Sequence, residues 1–205
     1  MRLTDRDLLI LREIGRFRCV LGRHIKELVN FTGIRACDRR LKILIDNGYL
    51  ERQKIIYGLP YIYTLTSKSK KLLNHALREE KIRIEQIKHD VTVIDILIAF
   101  IKQKRMTLND VFSEKELHRN DGFGTRKHKP DFIFIEKNKI IAVEVELSLK
   151  SFDRLLNNIK DNVLNYDMQI WVIERRNLKL TNTFDRLKEQ YANFEIVYLE
   201  DVQSK

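Results

Sequence analysis

Residues 131–147 read DFIFIEKNKIIAVEVEL, two runs that are apolar on both faces, joined by Lys137 and Asn138. Strands of that kind belong in the middle of a sheet, because each face needs a cover. A two-residue link makes the pair an antiparallel hairpin. The surrounding chain supplies strands and covers. Val111-Phe112-Ser113 is a weak strand ahead of the hairpin. After it, 151–165 has helical period (Phe152, Leu155, Leu156, Ile159, Val163) and 169–174 is another buried strand. Residues 181–191 are helical and 194–199 form a last strand. Counted from a long apolar helix over 79–103, the order is α-β-β-β-α-β, then α-β. The fold class expected is α+β, with a mixed sheet flanked by helices.

The hairpin carries an anomaly. Alternation puts Glu144 and Glu146 on the same face of one strand, about 7 Å apart. Two like charges in a buried strand raise each other's pKa and lose hydration. Asp131, at the start of the preceding strand, is a third carboxylate that antiparallel pairing brings close. Three converging carboxylates suit Mg²⁺ or Mn²⁺, which could orient water against a phosphodiester. Two plainer arrangements answer the same anomaly. The acids could pair with Arg126, Lys127 or Arg154, or the strand could lie at an edge with its glutamates in water.

The first third of the chain is helical. Thr4 stands three residues ahead of Asp7, a capping signal, before Leu8, Leu11 and Ile14. A second helix is expected over 22–29, with Ile25 and Leu28 inward, and a third over 34–46, stopped by Asn47-Gly48. On a wheel of the third helix, Ile34, Cys37, Leu41, Leu44 and Ile45 share one side. Arg35, Arg39 and Lys42 fall in a stripe on the other, as cations aimed at a major groove would. Two strands, around Ile55–Tyr57 and Tyr61–Leu65, are expected about Gly58-Leu59-Pro60.

Charge agrees with that placement. The formal net charge is +10. Residues 1–80 hold 17 Lys/Arg against 9 Asp/Glu, while 81–205 hold 22 against 20. A basic excess confined to one part of a chain points to nucleic acid as partner, with a solvated Lys-rich surface as the plainer alternative; the resemblance given below makes that nucleic acid double-stranded DNA. Cys19 and Cys37 have no CxxC partner, which excludes a disulfide scaffold or a cysteine zinc site and suits a reducing cytoplasm. The first 18 residues are too charged for a secretory leader, and no apolar run reaches membrane length, so a cytoplasmic location and no membrane partner are expected. His89 and Asp90, in the long helix, are expected to have a structural role.

The stretch RRLKILIDNGYLERQK, continued by YIYTLTSKSKKLL, resembles winged helix-turn-helix domains. The resemblance implies that the third helix enters the major groove and the wing touches phosphates. Arg35, Arg39, Arg40, Lys42, Arg52 and Lys54 are then the DNA-binding residues, in a domain over 1–78. The spacing Pro130-Asp131…Glu144-x-Glu146 resembles the PD-(D/E)xK nucleases over the second domain, 79–205. That implies metal binding by Asp131 and Glu144. Glu146 stands where a lysine is usual, and Lys150 is a candidate substitute cation.

The whole order resembles the replication-relaxation family of plasmids and integrative elements. The features that carry this are the winged helix, His89-Asp90, Phe112-Ser113-Glu114-x-Glu116-Leu117, Lys129-Pro130-Asp131, Val143 to Ser148, and a following helix with Arg154. The resemblance implies a DNA-binding protein acting in plasmid replication or conjugative transfer, beside a relaxase or replication protein. It makes Glu114 a fourth acid at the site, with Glu116 the alternative, and leaves a homodimer open. Three functions compete: a DNA-binding protein with an inactive nuclease-like domain, a Mg²⁺-dependent endonuclease, and a winged-helix transcriptional regulator.

Overall fold

A computed structural model of the chain describes residues 1–74, 82–120, 127–148 and 151–203. The chain divides into two units, Met1–Ile98 and Ala99–Lys205. The break falls inside the long helix, not at 78 as the sequence reading placed it.

In the first unit, α1 (Asp5–Arg16) starts on a capping box. Thr4 accepts the Asp7 N–H, and Asp7 accepts the N–H and O–H of Thr4. Ile10, Leu11 and Ile14 are buried, while Leu8 is only half-buried. A short strand, β1 (Val20–Leu21), leads into α2 (Gly22–Leu28). Then come α3 (Ile34–Asp46), β2 (Leu50–Gln53), β3 (Ile62–Leu65) and α4 (Ser67–Leu72). The sheet order is β1-β3-β2, antiparallel throughout. Helices and sheet in this order make a winged helix-turn-helix.

Helix α3 ends as its sequence predicts. Gly48 takes φ +70, the Tyr49 N–H reaches the Leu44 carbonyl and the Gly48 N–H reaches that of Ile45. Cys37, Leu41 and Leu44 are buried. Ile34 is not. It is 44% exposed, because it is the first helical residue and lies beyond the edge of the core.

The wing differs from expectation. The strand ahead of it is Leu50–Gln53, and 54–61 are loop. Ile55 and Ile56 both pack on a cluster of Cys19, Leu21, Ile62, Ile87 and Val91. Two adjacent side chains turned the same way are incompatible with strand alternation.

Helix α5 (Ile84–Lys104) follows, and its apolar residues from Val91 to Leu97 are mostly buried. In the first unit it is tied to α2: Asp95 accepts from Arg23 at 2.6 Å and from His24 at 3.0 Å. His24 is buried and its Nδ1 accepts the Leu21 N–H, so Nε2 carries the proton given to Asp95. Asp90 lies 3.4 Å from His89 and 3.9 Å from Arg18.

The second unit is a five-stranded mixed sheet. Its strands are β4 (Val111–Ser113), β5 (Phe132–Glu136), β6 (Lys139–Glu146), β7 (Met168–Ile173) and β8 (Phe194–Tyr198), side by side in that order. The first three run antiparallel, and β6, β7 and β8 are parallel. Lys137 and Asn138 take φ of 50 and 63, the left-handed pair that a two-residue hairpin needs. Helices α7 (Phe152–Asn165) and α8 (Leu178–Lys188) bury Leu155, Ile159, Leu180, Phe184 and Leu187 against Trp171, Ile173 and Phe194. Short helices α6 (Glu114–Leu117) and α9 (Leu199–Gln203), neither of them expected from the sequence, complete the unit. No helix among the described residues is long and apolar enough to cross a membrane.

Candidate nucleic-acid interface and acidic cluster

Helix α3 presents Arg35, Arg39 and Lys42 to solvent. Among the described residues no ion pair engages Arg35 or Arg39. Lys42 sits 2.9 Å from Asp46, one turn on, with both side chains exposed. Such a surface pair contributes little, so Lys42 can turn to another anion at small cost. Arg52 lies 4.6 Å over the Tyr61 ring and Lys54 5.7 Å from that of Tyr57, both cations exposed. A further cation, which sequence reasoning missed, is Lys68, 3.9 Å over Tyr49 and bonded to the Asn47 carbonyl. These cations all belong to the first unit.

Arg40, which the winged-helix resemblance places in the DNA-binding set, is engaged within the fold. Its guanidinium donates twice to Asp7 of α1, which is fully buried. Burial pushes the Asp7 carboxyl up, but the Arg40 and Thr4 hydrogen bonds outweigh it and hold it below the ordinary aspartate value. Arg40 fastens α3 to α1. Its partner lies 33 residues away, which no local pattern reveals.

In the second unit the hairpin register pairs Phe132 with Val143, so the next step sets Asp131 across from Glu144. The expected approach of those two acids is therefore present. Their hydrogen bonds are with other groups. Asp131 accepts the backbone N–H of Val145 at 2.7 Å. Glu144, 7% exposed, accepts from His128 Nε2 at 2.7 Å and from Asn162 Nδ2 at 3.1 Å. Asn162, on α7, is fully buried, and its Oδ1 has no hydrogen-bond partner among the described residues. Burial, with the Asp131 charge adding to it, raises Glu144 to about 7 in spite of those two bonds. Burial lowers His128, but the Glu144 carboxylate outweighs it and the net shift is upward.

The other acids go elsewhere. Glu146 accepts the Ser148 N–H. Glu116 closes the capping box of α6, accepting the N–H and O–H of Ser113 at 2.9 Å each. Glu114 lies 3.6 Å from His118, although its backbone N–H reaches the Asp131 carbonyl. Lys150 and Arg126 lie outside the described residues. No group of three or more His, Cys, Asp or Glu among the described residues could hold a metal ion. Among the described residues, one oxygen of Glu144 is taken by two hydrogen-bond donors and one oxygen of Asp131 by a backbone N–H, so these two acids do not stand as a ready-made Mg²⁺ or Mn²⁺ nest.

Among the described residues, His128 and Asn162 are the side chains that bond to the buried glutamate. The sequence suggested Arg126, Lys127 or Arg154, of which Arg126 lies outside the described residues. The available signal was a histidine inside a run of lysines and arginines just ahead of Pro130-Asp131, read there only as part of a basic loop.

A family model described as Replication-relaxation matches residues 11–166. No curated protein matches the chain. Among solved structures, the chain is similar to Bacillus subtilis PadR in complex with operator DNA, at 21% identity and a TM-score of 0.27. That match covers 58% of this chain and 82% of PadR. It is similar also to PigF with SAH, at 14% identity and a TM-score of 0.26, over 94% of this chain and 54% of PigF.

Proposed function

Since the chain belongs to the replication-relaxation family, we propose that it is a duplex-DNA-binding protein of a plasmid or integrative element, acting in replication or in the relaxation step of transfer. The observation that supports this best is the row Arg35, Arg39 and Lys42 on α3, exposed and with its two arginines engaged in no ion pair among the described residues. Long cations on the outer face of the third helix of a winged helix match the shape and charge of a major groove. Arg52 and Lys54, ahead of and in the wing, add phosphate contacts. A relaxase or replication protein is the partner this reading implies, and a second copy of the chain is the other.

We read the second unit as PD-(D/E)xK-like from its strand order and from Asp131 facing Glu144. That pairing is the observation favouring a Mg²⁺- or Mn²⁺-dependent endonuclease. Against it, one oxygen of each of these acids is already held by hydrogen-bond donors, and DNA binding without cleavage is the reading preferred for the chain. Footprinting on DNA from the protein's own genetic element, with and without Mn²⁺, tests both readings. A protected site without cuts is expected. The absence of any protection at low salt would overturn the DNA-binding reading, and Mn²⁺-dependent cuts lost in Glu144→Ala would restore the enzyme.

A further inference from the structure

The wing tip carries an aromatic side chain that the fold does not use. Tyr57 is 96% exposed. Its neighbours are the opposite. Ile55, Ile56 and Leu59 pack on the cluster of Cys19, Leu21, Ile62, Ile87 and Val91, so the chain is stapled down on both sides of the tyrosine. The Leu59 N–H donates to the Ile56 carbonyl at 3.3 Å, and Gly58 takes φ +86, which a side-chain-bearing residue rarely adopts. Tyr57 is thus held outward on a closed turn, and little ordering remains to be done when it meets a ligand.

Two cation and ring pairs lie along this segment. Lys54 Nζ is 5.7 Å from the Tyr57 ring, and the Arg52 guanidinium is 4.6 Å over Tyr61, itself 42% exposed. Rings that take bases on their faces, interleaved with cations that meet phosphates, are the working parts of single-strand nucleic-acid binding. In an intact duplex the base faces are covered by their stacked neighbours. A ring reaches one only where the stack is open.

We infer that the wing is a binding site for unpaired DNA bases, with Tyr57 as the stacking platform, Tyr61 as a second, and Lys54 and Arg52 as phosphate contacts. The site rests on the DNA-binding reading above and deepens it: α3 holds paired DNA while the wing takes bases from an adjoining melted stretch. A protein of that design favours forks and bubbles over continuous duplex.

The test uses the full chain and two probes, a mixed-sequence duplex and the same duplex with a central bubble carrying 2-aminopurine. Affinity is read by anisotropy and stacking by quenching of the base. Wild type is expected to prefer the bubble by about fivefold or more and to quench the 2-aminopurine. Tyr57→Ala should lose preference and quenching while keeping its duplex affinity, and Tyr57→Phe, which keeps the ring, should retain both. Arg39→Ala should weaken binding to both probes. Equal affinity of wild type for the two probes, or an unchanged preference in Tyr57→Ala, overturns the wing site and leaves the DNA-binding reading standing. Equal losses on both probes in Tyr57→Ala also overturn it, since the ring would then serve paired DNA. Failure of wild type to bind either probe overturns the DNA-binding reading and the wing site with it.

Discussion

Arg40 of α3 is gripped by the buried carboxylate of Asp7 in α1, while Arg39 beside it points to solvent. Neighbouring arginines of one helix thus have different tasks. Removing Arg40 leaves the buried Asp7 carboxylate without its charged partner, at a cost of about 1–3 kcal/mol for a pair whose arginine is partly exposed. Arg40→Ala and Asp7→Asn are therefore expected to lower the stability of the first unit in thermal or urea unfolding. Arg39→Ala should leave it within about 0.5 kcal/mol of wild type. Equal stability of the Arg39 and Arg40 variants would contradict the tether.

DNA affinity should sort the same residues in the opposite order. Arg39→Ala and Arg35→Ala are each expected to weaken duplex binding by about tenfold. The slope of log affinity against log salt should become shallower by about one for each phosphate contact removed. Lys42→Ala should do less, since that side chain already spends part of its time with Asp46. Titrations over a range of salt concentrations measure both quantities.

The second unit should be more stable in mild acid than at neutral pH. Glu144 and His128 both have folded pKa values above their ordinary ones, so the folded unit binds more protons than the unfolded chain. Their contribution is present at low pH and is lost as pH rises through the folded values, for Glu144 a window running up to about 7. Trp171 is the chain's single tryptophan and lies in the core of this unit, so its fluorescence reports it selectively. The Trp171 melting temperature is expected to fall as pH is raised through that window, and Glu144→Gln should flatten the trend. A melting temperature that climbs over the same window would refute the assignment.

Plasmid incubated with Mg²⁺ or Mn²⁺ is expected to stay uncut by wild type and by Glu144→Ala alike. Calorimetry should show no divalent ion bound at the cluster, and His128→Ala should not create a metal-dependent nick. Cleavage by wild type that Glu144→Ala abolishes would give the acids the catalytic role withheld from them here.

Features legible in the sequence were those fixed by local chemistry. The Thr4 cap, the Gly48 stop, the Lys137-Asn138 turn and the doubly apolar strands each depend on a few adjacent residues. The facing of Asp131 and Glu144 followed from the hairpin register, which the two-residue turn determines. Long-range partners were not legible. Arg40 reads like any helix cation until Asp7, 33 positions earlier, folds beneath it. His128 meets Glu144, 16 residues on, from within a basic segment that suggested nothing but surface. The wing was misjudged for a different reason. A run of β-formers, Ile55-Ile56-Tyr57, promised a strand, but burial of two consecutive isoleucines in the same cluster overrode propensity.

Cys19 and Cys37 form no disulfide and are fully buried, and burial, with Asp38 adding to it, pushes the Cys37 thiol up to about 11. A thiol so placed is scarcely ionised at neutral pH and reacts slowly with alkylating reagents. The wild-type protein is thus a silent background for site-directed labelling. A cysteine introduced at an exposed position of α3 would be the reactive one, and a photoactivatable crosslinker attached there could map which nucleotides lie beneath each face of the helix.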